Sequence, residues 1–187
     1  MRKPPWLPHL RLYVYSGKLF LGETGEGGPY LGIEMERKYL VHRNCLPELV
    51  GGERIIQGYL CATPQIRFRL WAGKLIITIK QLRPDGSRFE LETEKVTPSN
   101  EETITLMGLA LYPPIEKVRY RIPHKGLTWE VDVYQGDNEG LITVDVEMPS
   151  LDWVLEFPVW VDSDREITND PRYFNLNLGR NQFRSWV

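Results

Sequence analysis

The feature that most constrains this fold is an alternation of charged and apolar residues that recurs through most of the chain. Within 115–122, for example, Lys117 and Arg119 alternate with Val118 and Tyr120. Side chains two positions apart lie on the same face of a β-strand. Each such segment is therefore predicted to be a strand with one charged and one apolar face. The predicted strands are 32–41, 54–61, 65–71, 74–82, 87–96, 115–122, 127–134 and 141–148.

Two helices are predicted between and after these strands. Asn100 is suited to cap a helix that runs to about Leu111, because two acidic residues follow it in the first turn. Its apolar stripe would consist of Ile104, Met107 and Leu111. A second helix is expected to begin near Thr168 or Asp170 and to end around Gly179.

The first 30 residues differ in character from the rest. Residues 9–21 alternate like a strand or hairpin, and 22–29 form a glycine-rich, acidic connector. We therefore predict an N-terminal extension over 1–30 and a single domain over 31–187.

The charged faces carry acids and bases in equal number, and several strands carry one sign only. The acids are Glu34, Glu36, Glu90, Glu92, Glu94, Glu130, Asp132, Asp145 and Glu147, and the bases are Lys38, Arg67, Arg69, Lys74, Lys80, Arg88, Lys117, Arg119 and Arg121. One interpretation is a β-sandwich with these charges in solvent. The other closes about eight strands into a barrel around a water-filled, charged tunnel.

The first strand shows what such a tunnel could bind. Glu34, Glu36 and Lys38 share one face of the strand. Two adjacent carboxylates suit a hard cation such as Mg²⁺, and a neighbouring lysine suits the phosphate that the cation would neutralise. The pattern thus favours a metal complex of a polyanion as the ligand.

Composition excludes several other classes of function. The chain has 187 residues, a net charge of −2 and a pI near 6.0, which argues against a general binder of nucleic acids or membrane surfaces. No apolar run approaches the ~20 residues of a membrane-spanning helix, and no secretory signal is visible. Cys45 and Cys61 are expected to be free thiols of a cytoplasmic protein. Any metal is then expected to be held by carboxylates.

In order along the chain, these segments resemble the motifs of the CYTH domain, or triphosphate tunnel metalloenzyme, superfamily. The opening segment 34–41 is similar to its ExExK strand, Ile66-Arg67-Phe68-Arg69 to its RxR strand, and Lys117-Val118-Arg119-Tyr120 to its KxRY strand. The other matching segments are 56–60, 75–80, 88–92, 129–134, 140–147 and 165–173. The resemblance covers roughly 32–180.

This resemblance implies an α+β, mainly antiparallel fold: a closed eight-stranded β-barrel with flanking helices. It also implies roles for individual residues. Mg²⁺ or Mn²⁺ would be bound by Glu34, Glu36 and Glu147 with help from Asp145, which stands where the family typically has a glutamate. The triphosphate would be bound by Lys38, Arg67, Arg69, Lys80, Lys117 and Arg119. The supporting residues would be Glu90, Glu92 and Asp132, and Lys38 and Lys117 are the candidate catalytic residues.

We therefore predict metal-dependent hydrolysis of a triphosphate, with inorganic tripolyphosphate as the expected substrate. Two alternatives stay open: an adenylate cyclase that uses the same tunnel, and a non-catalytic module that binds polyphosphate or nucleotide. The expected partner is a triphosphate-containing small molecule rather than a nucleic acid or a membrane. A homodimer is left open.

Overall fold

The computed structural model describes residues 11–15, 18–22, 36–82, 88–150 and 153–186. Strands β1 (Arg11–Tyr15) and β2 (Lys18–Gly22) pair antiparallel, which confirms the predicted hairpin. The predicted connector 22–29 falls almost wholly outside the described residues.

The domain is built on one antiparallel sheet of nine strands. These are β3 (Glu36–Val41), β4 (Glu53–Ala62), β5 (Gln65–Trp71), β6 (Lys74–Leu82), β7 (Arg88–Val96), β8 (Ile115–His124), β9 (Leu127–Tyr134), β10 (Ile142–Glu147) and β11 (Val161–Glu166). Their order across the sheet is β11-β3-β10-β9-β8-β4-β5-β6-β7. Except for β11, every strand of the sheet was predicted to within a few residues.

The prediction of a closed eight-stranded barrel, and with it the α+β class, is wrong: the fold is mainly β and its sheet is open. Closure would require the outer edge of β3 to pair with β7. That edge is instead taken by β11, which begins with Val161 opposite Val41. Just beyond β11, the Ile167 amide donates to the Lys38 carbonyl at 2.8 Å, and the Lys38 amide donates to Thr168 Oγ1 at 3.0 Å. Because the backbone groups of 38–41 on this side already have partners in β11 and the segment after it, this part of the β3 edge is not available to β7.

The outer, apolar face of β3, β9 and β10 packs under the segment 153–160. Phe157 lies 5.2 Å from the Tyr39 ring and 5.8 Å from the Trp129 ring, measured between ring centroids. Trp160 makes an edge contact with Trp129 at 6.2 Å. Tyr39 and Trp129 are almost wholly buried in this packing. Because side chains alternate along a strand, the charged residues of the same strands lie on the other face of the sheet.

Two short α-helices occur in the described residues: α1 (Asn100–Gly108) and α2 (Asn175–Arg180). The α1 cap is Ser99 rather than the predicted Asn100, and Ser99 and Glu102 form a reciprocal capping box. The predicted apolar stripe of α1 is exposed: Ile104 has 69% of its surface accessible. No helix in the described part of the chain is long and apolar enough to cross a membrane.

Candidate active site

The charged faces of strands β3 to β10 surround one cavity of about 750 Å³. Its charged lining residues are Glu36, Lys38, Arg67, Arg69, Lys80, Glu90, Glu92, Lys117, Arg119, Arg121, Glu130, Asp145 and Glu147. All six residues predicted to bind the triphosphate are among them. The sheet is therefore curved enough to gather these side chains around one space although it does not close. This placement excludes the β-sandwich with charges in bulk solvent.

Arg67 and Arg69 supply the basic lining of β5. Their strand also buries Phe68 on the opposite face, so the alternation is anchored by packing. The Nε atoms of both arginines are buried and form no hydrogen bond within the described residues. Burial, and next the charge of Arg67, lower the pKa of Arg69 to about 10. Two like charges with unused donors are suited to an anionic ligand.

A second basic group, on β8, is held by a buried carboxylate of β9. Asp132 is fully buried and accepts hydrogen bonds from Lys117 Nζ and from Arg119, whose Nε and Nη2 donate at 2.7 Å. Arg119 Nη2 also donates to Asp145 Oδ2 at 3.1 Å. Asp132 therefore orients two bases from a buried position, and its supporting role in catalysis stays a prediction.

Lys38 and Lys117 have different electrostatic environments. Burial opposes the charge on Lys38, but Asp145, whose Oδ1 lies 2.8 Å from Lys38 Nζ, is the main influence that raises its pKa. For Lys117, burial dominates, and Asp132 opposes it only in part, because Arg119 and Lys38 also repel its charge. The pKa of Lys117 is lowered to about 8. Lys117 can therefore exchange a proton near neutral pH, a property required of a general base.

The predicted supporting acids of β7 contact the neighbouring strand β6. Glu90 Oε2 lies 2.9 Å from Lys80 Nζ, and Glu92 Oε2 accepts a hydrogen bond from Thr78 Oγ1 at 3.1 Å. Both acids line the cavity.

The predicted metal ligands are only partly described. Glu36 and Glu147 lie directly opposite each other on β3 and β10 and both line the cavity. Asp145 contacts Lys38 and Arg119 instead, and Glu34 lies outside the described residues. Among the residues that are described, no three His, Cys, Asp or Glu side chains form a ready cation site.

The sequence analysis did not assign a role to two neutral residues of the site, Gln57 and Asn175. Gln57 and Tyr59 are buried on β4, and Gln57 Nε2 donates to the Tyr59 hydroxyl at 2.7 Å. Gln57 lines the charged cavity, and Asn175 of α2 does so as well. Gln57 stands two positions before Tyr59, on the same strand face, so the period of two could have pointed to it. No comparable signal marks Asn175.

A second cavity of about 630 Å³ adjoins the first. Apart from three charged residues that it shares with the first cavity, its lining is neutral. The neutral residues are Tyr59, Ala62, Thr63, Pro64, Gln65, Gln81, Leu82, Thr168, Asn169, Tyr173, Phe174, Asn175, Leu176 and Asn177.

Comparisons with known proteins agree with this site. No protein-family model matches the sequence. The chain is 36% identical over 158 residues to an inorganic triphosphatase of Acetivibrio thermocellus, covering 83% of this chain and 99% of that protein. Its fold is similar to the crystal structure of the inorganic triphosphatase NE1496, with a TM-score of 0.58 and 27% identity, covering 79% of this chain and 94% of the other. Together with the motifs of strands β3 to β10, these matches place the chain in the inorganic triphosphatase family of the CYTH superfamily.

Proposed function

We propose that this protein hydrolyses the terminal phosphoanhydride bond of inorganic tripolyphosphate with the help of a divalent cation. The observation that carries the proposal is the gathering of six predicted phosphate-binding bases and two opposed carboxylates around one cavity. The similarity to two inorganic triphosphatases supports the reaction class. The substrate itself is our proposal.

Glu36 and Glu147 are suited to hold Mg²⁺ or Mn²⁺. Like charges directly opposite each other on neighbouring strands repel. A divalent cation between the two carboxylates would offset that repulsion, and carboxylate oxygens are the ligands that both cations prefer. When bound, such a cation would offset negative charge on the phosphate oxygens.

The basic residues would then bind and orient the phosphate chain. Arg67 and Arg69 can donate from their buried Nε atoms, and Arg119 is already oriented by Asp132. Charge that develops on the transferred phosphoryl group would be stabilised by these preorganised donors, the effect that dominates phosphoryl transfer.

Lys117 is our candidate for activating the attacking water. Its pKa of about 8 leaves part of the population neutral at physiological pH. A neutral Lys117 Nζ can accept a proton from water, and the nearby Asp132 carboxylate would stabilise the resulting ammonium.

The test is turnover of tripolyphosphate by purified protein with Mg²⁺ or Mn²⁺, with Glu36→Gln as the variant. We expect Glu36→Gln to lower kcat about 100-fold or more while tripolyphosphate still binds, because the bases remain. Glu94→Gln is the matched control, since Glu94 pairs with the exposed Lys74 and does not line the cavity.

Parallel assays with ATP separate the alternatives. Cyclic AMP and pyrophosphate as main products would establish a cyclase instead. If the wild type binds tripolyphosphate but shows no metal-dependent turnover of any phosphoanhydride, the binding module is the correct interpretation.

A further inference from the structure

The charged and the neutral cavity meet at a narrow set of side chains. Four residues line both cavities: Glu36, Lys38, Lys80 and Asn175. The first three were predicted from their charge. Asn175 is the neutral member, and α2 rather than the sheet brings it to the junction.

The Asn175 side chain is held in one orientation by the sheet. The Tyr134 hydroxyl donates a hydrogen bond to Asn175 Oδ1 at 2.9 Å. Burial, the largest influence, raises the pKa of Tyr134, so the phenol keeps its proton and remains a donor. Because Oδ1 already accepts this hydrogen bond, the NH₂ of the Asn175 amide is the part that can donate to a ligand. It donates no hydrogen bond to any other described residue.

Both partners of this hydrogen bond are rigidly placed. Tyr134 has only 1% of its surface accessible and packs in a core cluster with Ile115 and Leu178. Leu178 is itself fully buried, and it lies three residues after Asn175 on α2. The packing of Leu178, one helix turn away, therefore holds the Asn175 amide in a defined position, as a preorganised site requires.

We propose that Asn175 is a substrate-binding residue, whose amide Nδ2 donates to a phosphate oxygen where the chain passes between the two cavities, and that Tyr134 is its positioning residue. The proposal rests on the triphosphate hydrolysis proposed above. An amide at this point would bind a phosphate oxygen without adding charge, while the neighbouring Lys38 and Lys80 supply positive charge.

Asn175→Asp and Asn175→Ala separate substrate binding from a structural role. Aspartate keeps the oxygen that accepts from Tyr134 but replaces the donor NH₂ by an anionic oxygen, which repels phosphate. Alanine loses both interactions. We expect alanine to raise the KM for tripolyphosphate about tenfold, the effect of losing one hydrogen bond to a charged group, and aspartate to raise it further.

The relative KM and Tm values of the two variants distinguish a substrate-binding role from a structural one. Substrate binding predicts a higher KM for Asn175→Asp than for Asn175→Ala, together with a higher Tm for the aspartate variant, because it retains the bond to Tyr134. A purely structural role predicts that alanine is worse in both measurements. That order, or a wild-type KM in Asn175→Asp, would overturn the proposal.

Asn169→Asp is the matched control, because the exposed Asn169 lines only the neutral cavity. We expect its KM to stay within about twofold of the wild type, since it introduces the same charge away from the junction. Tyr134→Phe should raise KM less than Asn175→Ala does, and the double variant should be no worse than Asn175→Ala alone. Additive effects would contradict the positioning role of Tyr134.

A second measurement keeps this proposal separate from the reaction itself. Tripolyphosphate that binds the folded protein should raise its Tm, and Asn175→Asp should reduce that rise. Absence of wild-type turnover would refute hydrolysis alone. An equal Tm rise in wild type and Asn175→Asp would refute the role of Asn175 alone.

Discussion

Removing the buried carboxylate of Asp132 should destabilise the protein far more than removing an equivalent exposed one. Asp132 has no accessible surface, and it neutralises Lys117, whose side chain is 3% accessible, together with Arg119. Asp132→Asn preserves the shape of the side chain but leaves the buried Lys117 and the partly buried Arg119 without their main counter-charge. Breaking a buried ion pair in this way costs about 3–5 kcal/mol.

The comparison is with Glu116→Gln. Glu116 accepts from Arg54 Nε at 2.7 Å, the same distance as between Arg119 Nε and Asp132 Oδ1, but the Arg54 side chain is 61% accessible. Exposed pairs contribute less than about 1 kcal/mol. The two substitutions therefore differ in burial and in the number of cations neutralised, not in the hydrogen-bond distance.

Urea unfolding at pH 7 measures the difference. With an m value of about 2 kcal/mol/M, the midpoint should fall by about 1.5–2.5 M for Asp132→Asn and by less than about 0.5 M for Glu116→Gln. Equal shifts in the two midpoints would refute the reasoning, because burial would then not control the cost.

The pH dependence provides a second check on the same pair. Lys117 and Arg119 hold the pKa of Asp132 below its usual value although burial opposes them, so its contribution is present above about pH 4 and is lost as the pH falls. At pH 9 Lys117, with a pKa of about 8, is mostly neutral in the folded wild type. The cost of Asp132→Asn should therefore be smaller at pH 9 than at pH 7.

Two further predictions concern the reaction and the core. Activity should rise with pH through an apparent midpoint near 8 as Lys117 loses its proton, and Lys117→Arg should remove this limb of the pH–rate profile; an unchanged limb in the variant would exclude Lys117 as the base. Gly58→Ala should destabilise the protein by about 1–3 kcal/mol in thermal unfolding, because the added Cβ would lie 2.4 Å from the buried Phe68 ring. Gly108→Ala, where the Cβ meets nothing within 4 Å, is the control, and equal Tm changes in the two variants would contradict this steric explanation.

The strands and their charged faces could be predicted because alternation is a local property. In β5, Arg67 and Arg69 must share a face whichever strand lies beside them, since the side-chain period of a strand is two. The opposition of Lys117 and Arg119 to Val118 follows in the same way. The charged face of each strand could therefore be predicted without knowing the order of the strands in the sheet.

The helices show where local patterns are insufficient. The apolar stripe predicted for α1 is largely exposed, since Ile104 and Met107 are 69% and 40% accessible. An apolar stripe is buried only if another element covers it, and sequence periodicity carries no information about that element. Asn175 was missed for a related reason, because an amide has no distinctive pattern and reaches the cavity only through the packing of Leu178.

The sequence by itself determined which residues share a face, and thus the basic and acidic walls of the site. Only the tertiary structure decided that the sheet stays open. The segment Val161–Glu166 is largely polar and does not alternate, so nothing local identified it as β11. It forms a strand because it pairs with the outer edge of β3, where Val161 lies opposite Val41. Just beyond it, Ile167 and Thr168 form hydrogen bonds with the backbone of Lys38. This edge pairing joins residues at least 120 positions apart, and alternation within a strand cannot specify such long-range pairing.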